Sequence, residues 1–281
     1  MDMKGKTRDM TKKGKWLLTL LLSLQAGSCT EQLDWELEYK EEELIVVEGK
    51  ITDEPAPHQV KLTFPLFEMN GIPEPVTGAL VEINDARVIH TLTETPRGSG
   101  IYLTDPGFAG EVGKGYQLRI RYRGARFTGV SFMKEVLPFQ FMRPYPVQDD
   151  PLLYEVYISD ERGPAIVRLE LDWSHLPGYD TLPPEETHAL IYHYTLGGVD
   201  VNRVFPPERE HVRFPPGTII FREKESVSRE YEQFLRSMLS ETDWRGGVFD
   251  VLPGNARSNM SDGAIGYFTA GAVIRDTVVI K

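Results

Sequence analysis

Two stretches constrain this chain more than any other, because apolar and polar residues exchange in them at every position. They are Tyr116-Gln-Leu118-Arg-Ile120-Arg-Tyr122-Arg123 and Val167-Arg-Leu169-Glu-Leu171-Asp-Trp173. Side chains alternate between faces along a β-strand, so each stretch reads as a strand with one buried and one wet face. Weaker runs of the same kind lie at 44–51, 59–64, 79–83, 88–93, 101–104, 126–133, 154–158, 190–196, 218–222, 248–252, 265–269 and 273–280. Many short strands parted by Gly and Pro clusters argue for sandwiches and against an α/β fold. One segment breaks the rhythm. Between Ser226 and Ser240, Val227, Tyr231, Phe234, Leu235 and Met238 fall on one helical stripe, with Ser226 or Ser228 as N-cap and Gly246-Gly247 as the stop.

The N-terminus carries a different signal. Lys4, Lys6, Arg8, Lys12, Lys13 and Lys15 precede the apolar run Trp16-Leu-Leu-Thr-Leu-Leu-Leu-Ser-Leu24, which ends in Gln25-Ala26-Gly27-Ser28-Cys29. A charged segment, a short apolar run and a small-residue junction make a secretory signal, too short to be a stable spanning helix. Ala26, Gly27 and Ser28 before Cys29 resemble the lipobox of bacterial lipoproteins, which implies a diacylglyceryl thioether on Cys29 and cleavage before it. Two or three acyl chains suffice as an anchor, since each buried methylene contributes about 0.8 kcal/mol. Thr30, not Asp, follows the cysteine, and residues 31–38 are acidic, which by analogy with other lipoproteins favours the outer membrane without choosing the leaflet.

Cys29 is the only cysteine of the 281 residues, so the exported body forms no internal disulfide and is held by its core. The whole chain carries a formal charge of −11, and the six bases and two acids of residues 1–28 leave −15 on the remainder. That excess argues against nucleic acid as a partner, because a polyanion is repelled. Pro138, Pro144, Pro146 and Pro151 interrupt the strand rhythm and place a stiff connector between two domains. The expected organisation is a signal over 1–28, a tether over 29–34, an immunoglobulin-like β-sandwich over 35–136 and a second β-rich domain over 137–281. The helix at about 226–241 belongs to the second of these, and the fold class is mostly all-β.

Ordered pieces of the chain are similar to a known family. They are Leu44-Ile-Val-Val-Glu48-Gly49-Lys-Ile-Thr52-Asp53, Pro75-Val-Thr-Gly78-Ala79-Leu-Val-Glu-Ile-Asn-Asp85, Gly100-Ile-Tyr102, Gly113-Lys-Gly-Tyr116-Gln-Leu, Phe249-Asp250 and Gly266-Tyr-Phe268. Together they resemble the domain-of-unknown-function family 4249, lipoproteins of Bacteroidota. The resemblance implies a β-rich outer-membrane lipoprotein, commonly encoded beside a TonB-dependent receptor, and it brings no catalytic residues to carry over. Gly49, Gly78 and Gly115 also have a physical reading as strand-end turns or bulges needing positive φ.

No zinc-protease pair, phosphate-cradling loop, nucleophile elbow or calcium loop is spelled out, so no catalytic residue, metal ligand or cofactor is assigned and an enzyme is not expected. His188 and His193 are five apart in an expected strand and fall on opposite faces. Arg119, Arg121 and Arg123 share one strand face beside Lys114 and Arg126. They are either the solvated face of an edge strand or a dock for an anionic partner. Trp173, Tyr179, Tyr192 and Tyr194 supply either core packing or stacking surfaces for a sugar, and the apolar-face position of Trp173 favours the core. The expected function is a non-enzymatic, lipid-anchored accessory protein acting with a TonB-dependent receptor in nutrient uptake. Its rival is a surface glycan-binding lipoprotein with an aromatic platform in 173–217.

Overall fold

The computed structural model describes residues 44–66, 71–197, 211–242 and 257–281. The signal, Cys29, the tether, Gly246-Gly247 and the strand expected at 248–252 lie outside the described residues. Among the described residues no helix is long and apolar enough to cross a membrane.

The first half is a two-sheet sandwich. One sheet holds β1 (Ile45–Thr52), β2 (Gln59–Thr63), β5 (Thr93–Glu94), β6 (Ile101–Leu103) and β14 (Ala264–Gly271), in the order β14-β1-β2-β6-β5. The other holds β3 (Leu80–Asn84), β4 (Ile89–Thr91), β7 (Gly115–Tyr122) and β8 (Ala125–Phe132), in the order β4-β3-β7-β8. Taken as strands A to G in chain order, β1-β2-β6-β5 is A-B-E-D and β3-β7-β8 is C-F-G, with β4 added outside C. This is the immunoglobulin-like arrangement expected from the sequence. The alternation in β7 works as expected, with Tyr116, Leu118 and Ile120 buried between the sheets beside Val47, Val60, Val81 and Phe127. Tyr116 opens strand F at the corner from strand E, and its hydroxyl accepts the Glu111 N–H at 2.6 Å, which pins that corner as a tyrosine corner does.

β14 is the departure from that plan. It pairs parallel to β1 from Ile45↔Ala264 to Thr52↔Gly271, so a strand from the far end of the chain completes the first sheet. Asn259 stitches it to the second sheet: its side-chain amide donates to Val130 O at 2.9 Å and Phe268 O at 2.6 Å, and its carbonyl accepts Phe268 N–H at 2.9 Å. Ser131 Oγ accepts the Ala270 N–H at 3.0 Å. Close approach selects the glycines here. A Cβ on Gly266, whose φ is +105°, would lie 2.1 Å from Val47 O. Gly49 sits mid-strand with ordinary φ, and its Cβ would stand 3.0 Å from the Phe268 ring. Gly115 is likewise closed in by Phe132. Of the three glycines read as positive-φ turns, only Gly78 is one, at +70°.

The second half is built on β12-β11-β13-β15, all antiparallel neighbours, with β11 (Ala165–Asp172), β12 (His188–Thr195), β13 (Ile219–Ser226) and β15 (Val273–Val279). Val167, Leu169, Leu171, Ile220 and Trp173 bury one face against the hairpin of β9 (Met142–Pro146) and β10 (Tyr154–Ile158). The proline-rich stretch read as a connector therefore contains a strand. Pro144 and Pro146 lack N–H donors, and β9 tolerates them because it pairs on one side alone among the described residues. A short helix, α1 (Pro184–Thr187), leads into β12.

The expected helix is α2 (Arg229–Thr242). Ser228 is its N-cap, with Oγ accepting the Tyr231 N–H at 3.2 Å. Val227, Tyr231, Leu235 and Leu239 are buried, while Phe234 and Met238 are half-buried against the same cluster. The division at residue 137 is crossed in space: β14 lies in the first sandwich and β15 in the second sheet, joined through Ala272 alone. Residues 42–281 form one compact unit.

Candidate functional site

Cys29, the residue expected to carry the lipid, lies outside the described residues. The arginine row is partly dispersed. β7 lies between β3 and β8, so it is an inner strand and not an edge strand. Arg123 is not on the strand face: with φ +45° it forms the two-residue turn Arg123-Gly124 of the β7–β8 hairpin, its guanidinium 5.1 Å from the Tyr122 ring centre. The sequence hides this because a strand of arginines and a turn opened by arginine look alike until Gly124 is read as the second turn residue. Arg119 and Arg121 do share the outward face, where Arg126 lies opposite Arg121. Glu82 is interleaved, 3.6 Å from Arg121, and Arg119 Nε donates to Gln117 Oε1 at 2.8 Å. A shallow depression of about 440 Å³ runs over this face.

His188 and His193 fall on opposite faces of β12, each 3.4 Å from an acid, Asp172 and Asp160 respectively. Among the described residues no three His, Cys, Asp or Glu groups gather as a metal site. Glu155 gathers a polar cluster, accepting from Tyr145 Oη at 2.9 Å, His211 Nδ1 at 3.0 Å and Arg213 Nε at 3.2 Å. Burial raises its pKa, but the hydrogen bonds from Tyr145, His211 and Arg213 outweigh burial and hold it below the usual range. A carboxylate so satisfied fastens β10 to β9 and to residues 211–213; it is not poised as an acid.

The feature that sequence order concealed is a cleft of about 540 Å³ between the sandwich and the second sheet. β1 supplies Lys50, β13 Glu223 and Glu225, β12 Tyr192 and Tyr194, α2 Tyr231 and Phe234, and β14 Tyr267. Tyr192 and Tyr194, two apart on an outward face, stack with centroids 6.3 Å apart and planes 18° from parallel. Tyr267 tilts against both Tyr231 and Phe234 at 4.9 Å. Trp173, by contrast, is core, and Tyr179 packs beside it.

The floor is ionic. The Lys50 ammonium donates to Glu225 Oε2, and Arg275 joins Glu223 and Glu54. Glu225 is 5% exposed, and its Oε1 has no hydrogen-bond partner. Burial raises the Glu225 pKa and Lys50 opposes that shift; burial raises Tyr231 and Tyr267 as well. A second concavity, about 490 Å³, is walled by Val112, Phe132, Val136, Leu137 and Pro164. Its polar Lys224 and Ser226 are already engaged, by Glu161 and by Lys134 O, which leaves little to orient a ligand.

Apart from β14, the strands of the sandwich, the tyrosine corner and the arginine hairpin come from one continuous stretch of chain, and that stretch is what matches known sequence. Residues 30–163 match the family model described as Domain of unknown function (DUF4249). That segment resembles DUF4249 sequence. The family read from the quoted motifs is the one found, and the DUF4249 match contains β1 to β10 with the arginine face. It ends before β11, so Phe249-Asp250 and Gly266-Tyr-Phe268, together with most of the cleft wall, lie beyond it. Comparison with curated proteins and with solved structures returns no match.

Proposed function

We propose that this chain is an envelope lipoprotein that works by binding: acylated at Cys29, held at the outer membrane, and serving as a non-enzymatic accessory to a TonB-dependent receptor in nutrient uptake. One observation carries the reading. The single cysteine of the chain stands directly after Ala26-Gly27-Ser28, at the end of a short apolar run preceded by bases. The body fits that role in its chemistry, since the cleft sets the Lys50–Glu225 pair among tyrosine side chains, a lining suited to holding a ligand. Anchoring confines the body and a receptor barrel to one surface, which raises their effective concentration and lets a modest interface suffice. Arg119, Arg121 and Arg126 on the outer sheet face, with Arg123 at the hairpin tip, form the docking surface in this reading, approached face-on and not by strand addition.

The test is mild-detergent purification of tagged protein from its native host after cross-linking, with mass spectrometry of the mature N-terminus. The expected result is a diacylated Cys29 and recovery of a TonB-dependent receptor. Cys29→Ser moves the protein to the soluble envelope fraction, and an Arg119/Arg121/Arg123→Glu variant loses the receptor while remaining folded. An unmodified Cys29 overturns the anchor. Failure to recover any receptor overturns the accessory role.

A further inference from the structure

The cleft between the sandwich and the second sheet has features that a mere seam between packed elements does not need. Its aromatic wall is not fully consumed by packing: Tyr192 is 48% exposed while lying against Tyr194. Its floor contains a buried carboxylate oxygen, Glu225 Oε1, with no donor. A buried acceptor left unmet costs about 1–3 kcal/mol, and a ligand that donates to it recovers that energy. The volume, about 540 Å³, falls within the range of small-molecule sites, which are typically lined by aromatic groups with a few oriented polar ones.

Charge then selects the ligand class. Glu48, Glu223 and Glu225 line the cleft against Lys50 and Arg168, so an anion meets more repulsion than attraction. A cation is excluded from the best acceptor for a different reason, since the Lys50 ammonium already sits on the same carboxylate. A wholly apolar ligand would strip water from those charged groups without replacing its hydrogen bonds. What remains is a neutral molecule with a flat C–H face for the tyrosine wall and hydroxyls for the charged floor.

We propose that the cleft between Tyr192, Tyr194, Tyr231, Tyr267 and the Lys50–Glu225 pair binds a short neutral saccharide. One pyranose face lies on the exposed Tyr192 ring, and hydroxyls donate to Glu225 Oε1 and Glu223 and accept from Lys50 and Arg168. This inference rests on the binding role above but on neither the anchor nor the receptor, so the two fail separately.

The experiment is calorimetric titration of the full mature protein in detergent with defined probes: maltotetraose, cellotetraose and xylotetraose. Tetragalacturonate, spermidine and tetraglycine amide serve as the anionic, cationic and peptide comparisons. At least one neutral tetrasaccharide binds saturably, Tyr192→Ala weakens it about tenfold, the loss of one stacking face, and Tyr192→Phe restores it. Tyr192 lies on an exposed face, so both variants melt with the parent. Absence of saturable binding by all three saccharides up to about 10 mM, the weakest range such a site would occupy, overturns the proposal. Equal affinity in Tyr192→Ala, or tighter binding of any comparison probe, overturns it as well.

Discussion

Lys224 and Glu161 make a sharp test of how the two halves are fastened. Their side chains are 2% and 3% exposed, and the ammonium lies 2.5 Å from Glu161 Oε2. Lys224 also donates to Pro138 O at 3.1 Å, and Glu161 accepts the Gln140 N–H at 3.3 and 3.1 Å. The pair thus straps residues 138–140, where the chain leaves the sandwich, to the inner face of β13. Lys224→Met leaves a buried carboxylate with one backbone donor, and removing one partner of such a pair costs about 3–5 kcal/mol. Glu161→Gln strands the ammonium at similar cost. The double variant removes both charges, keeps an amide oxygen for Gln140 N–H and loses the donor to Pro138 O, which amounts to about 1–2 kcal/mol. Urea unfolding of the four proteins then yields a coupling energy of about 4–9 kcal/mol, with midpoints moving and slopes unchanged. The single variants alone approach the whole stability margin of a typical domain, about 5–15 kcal/mol. A Lys224→Met cost below about 1 kcal/mol, the value of an exposed pair, would refute the reasoning.

Leu235→Ala in α2 removes a side chain 3% exposed and lowers stability by about 2–5 kcal/mol, whereas Phe234→Ala, half-buried on the cleft wall, costs less; thermal or urea melts separate the two. His58 is buried beside Phe108, and burial pulls its pKa below the ordinary 6.5, with hydrogen bonds donated by the ring to the Glu54 and Phe108 backbone opposing. Its neutral form therefore contributes stability that is fully present above 6.5 and is lost as pH falls through the lower folded value. Stability measured from pH 8 to 5 should fall in the parent, and less steeply in His58→Gln. An identical slope in both would remove His58 as the cause.

How much of this was legible depends on where each signal resides. β7 and β11 were readable because their face alternation is complete over eight residues, and α2 because its stripe has the helical period. The final turns of β13 were not. Glu223, Lys224 and Glu225 look like the charged start of a loop, yet they continue the strand because Arg275, Glu161 and Lys50 neutralise them from three other segments. β9 was hidden by prolines that an unpaired edge forgives. The place of β14 was hidden more deeply. Local pattern specifies that 264–271 is a strand, but its partner is fixed by Gly266 against Val47 O and by Phe268 against Gly49, contacts more than 200 residues apart in sequence. The cleft inherits that concealment, since its walls exist only once β14 has joined β1. Arg123 failed for the opposite reason: the face pattern ran one residue past the strand, into a turn whose Gly124 was the telling residue.

The crossing of β14 also bears on what kind of binding the cleft supports. Lys50 and Tyr267 come from the sandwich, Glu225 and Tyr194 from the second sheet, and Tyr231 from the helix. Were the halves joined only by the 137–141 segment, these walls could separate. They are joined a second time where β14 becomes β15, and that junction is tight. Ser226 Oγ accepts the Ala272 N–H at 2.9 Å and donates to Lys134 O at 2.7 Å, while Val273 N–H donates to Asp53 Oδ1 at 2.8 Å. A Cβ on Gly271 would stand 2.6 Å from Ser226 O, so the backbones are in contact there. Two connections at the C-terminal end of β13, one ionic through Lys224 and one hydrogen-bonded through Ser226, hold the cleft walls in register before any ligand arrives. A preformed site avoids the cost of ordering its side chains on binding, about 0.5–1.5 kcal/mol for each one immobilised. That saving is largest for a small hydroxylated ligand, whose few contacts leave little surplus to offset rearrangement.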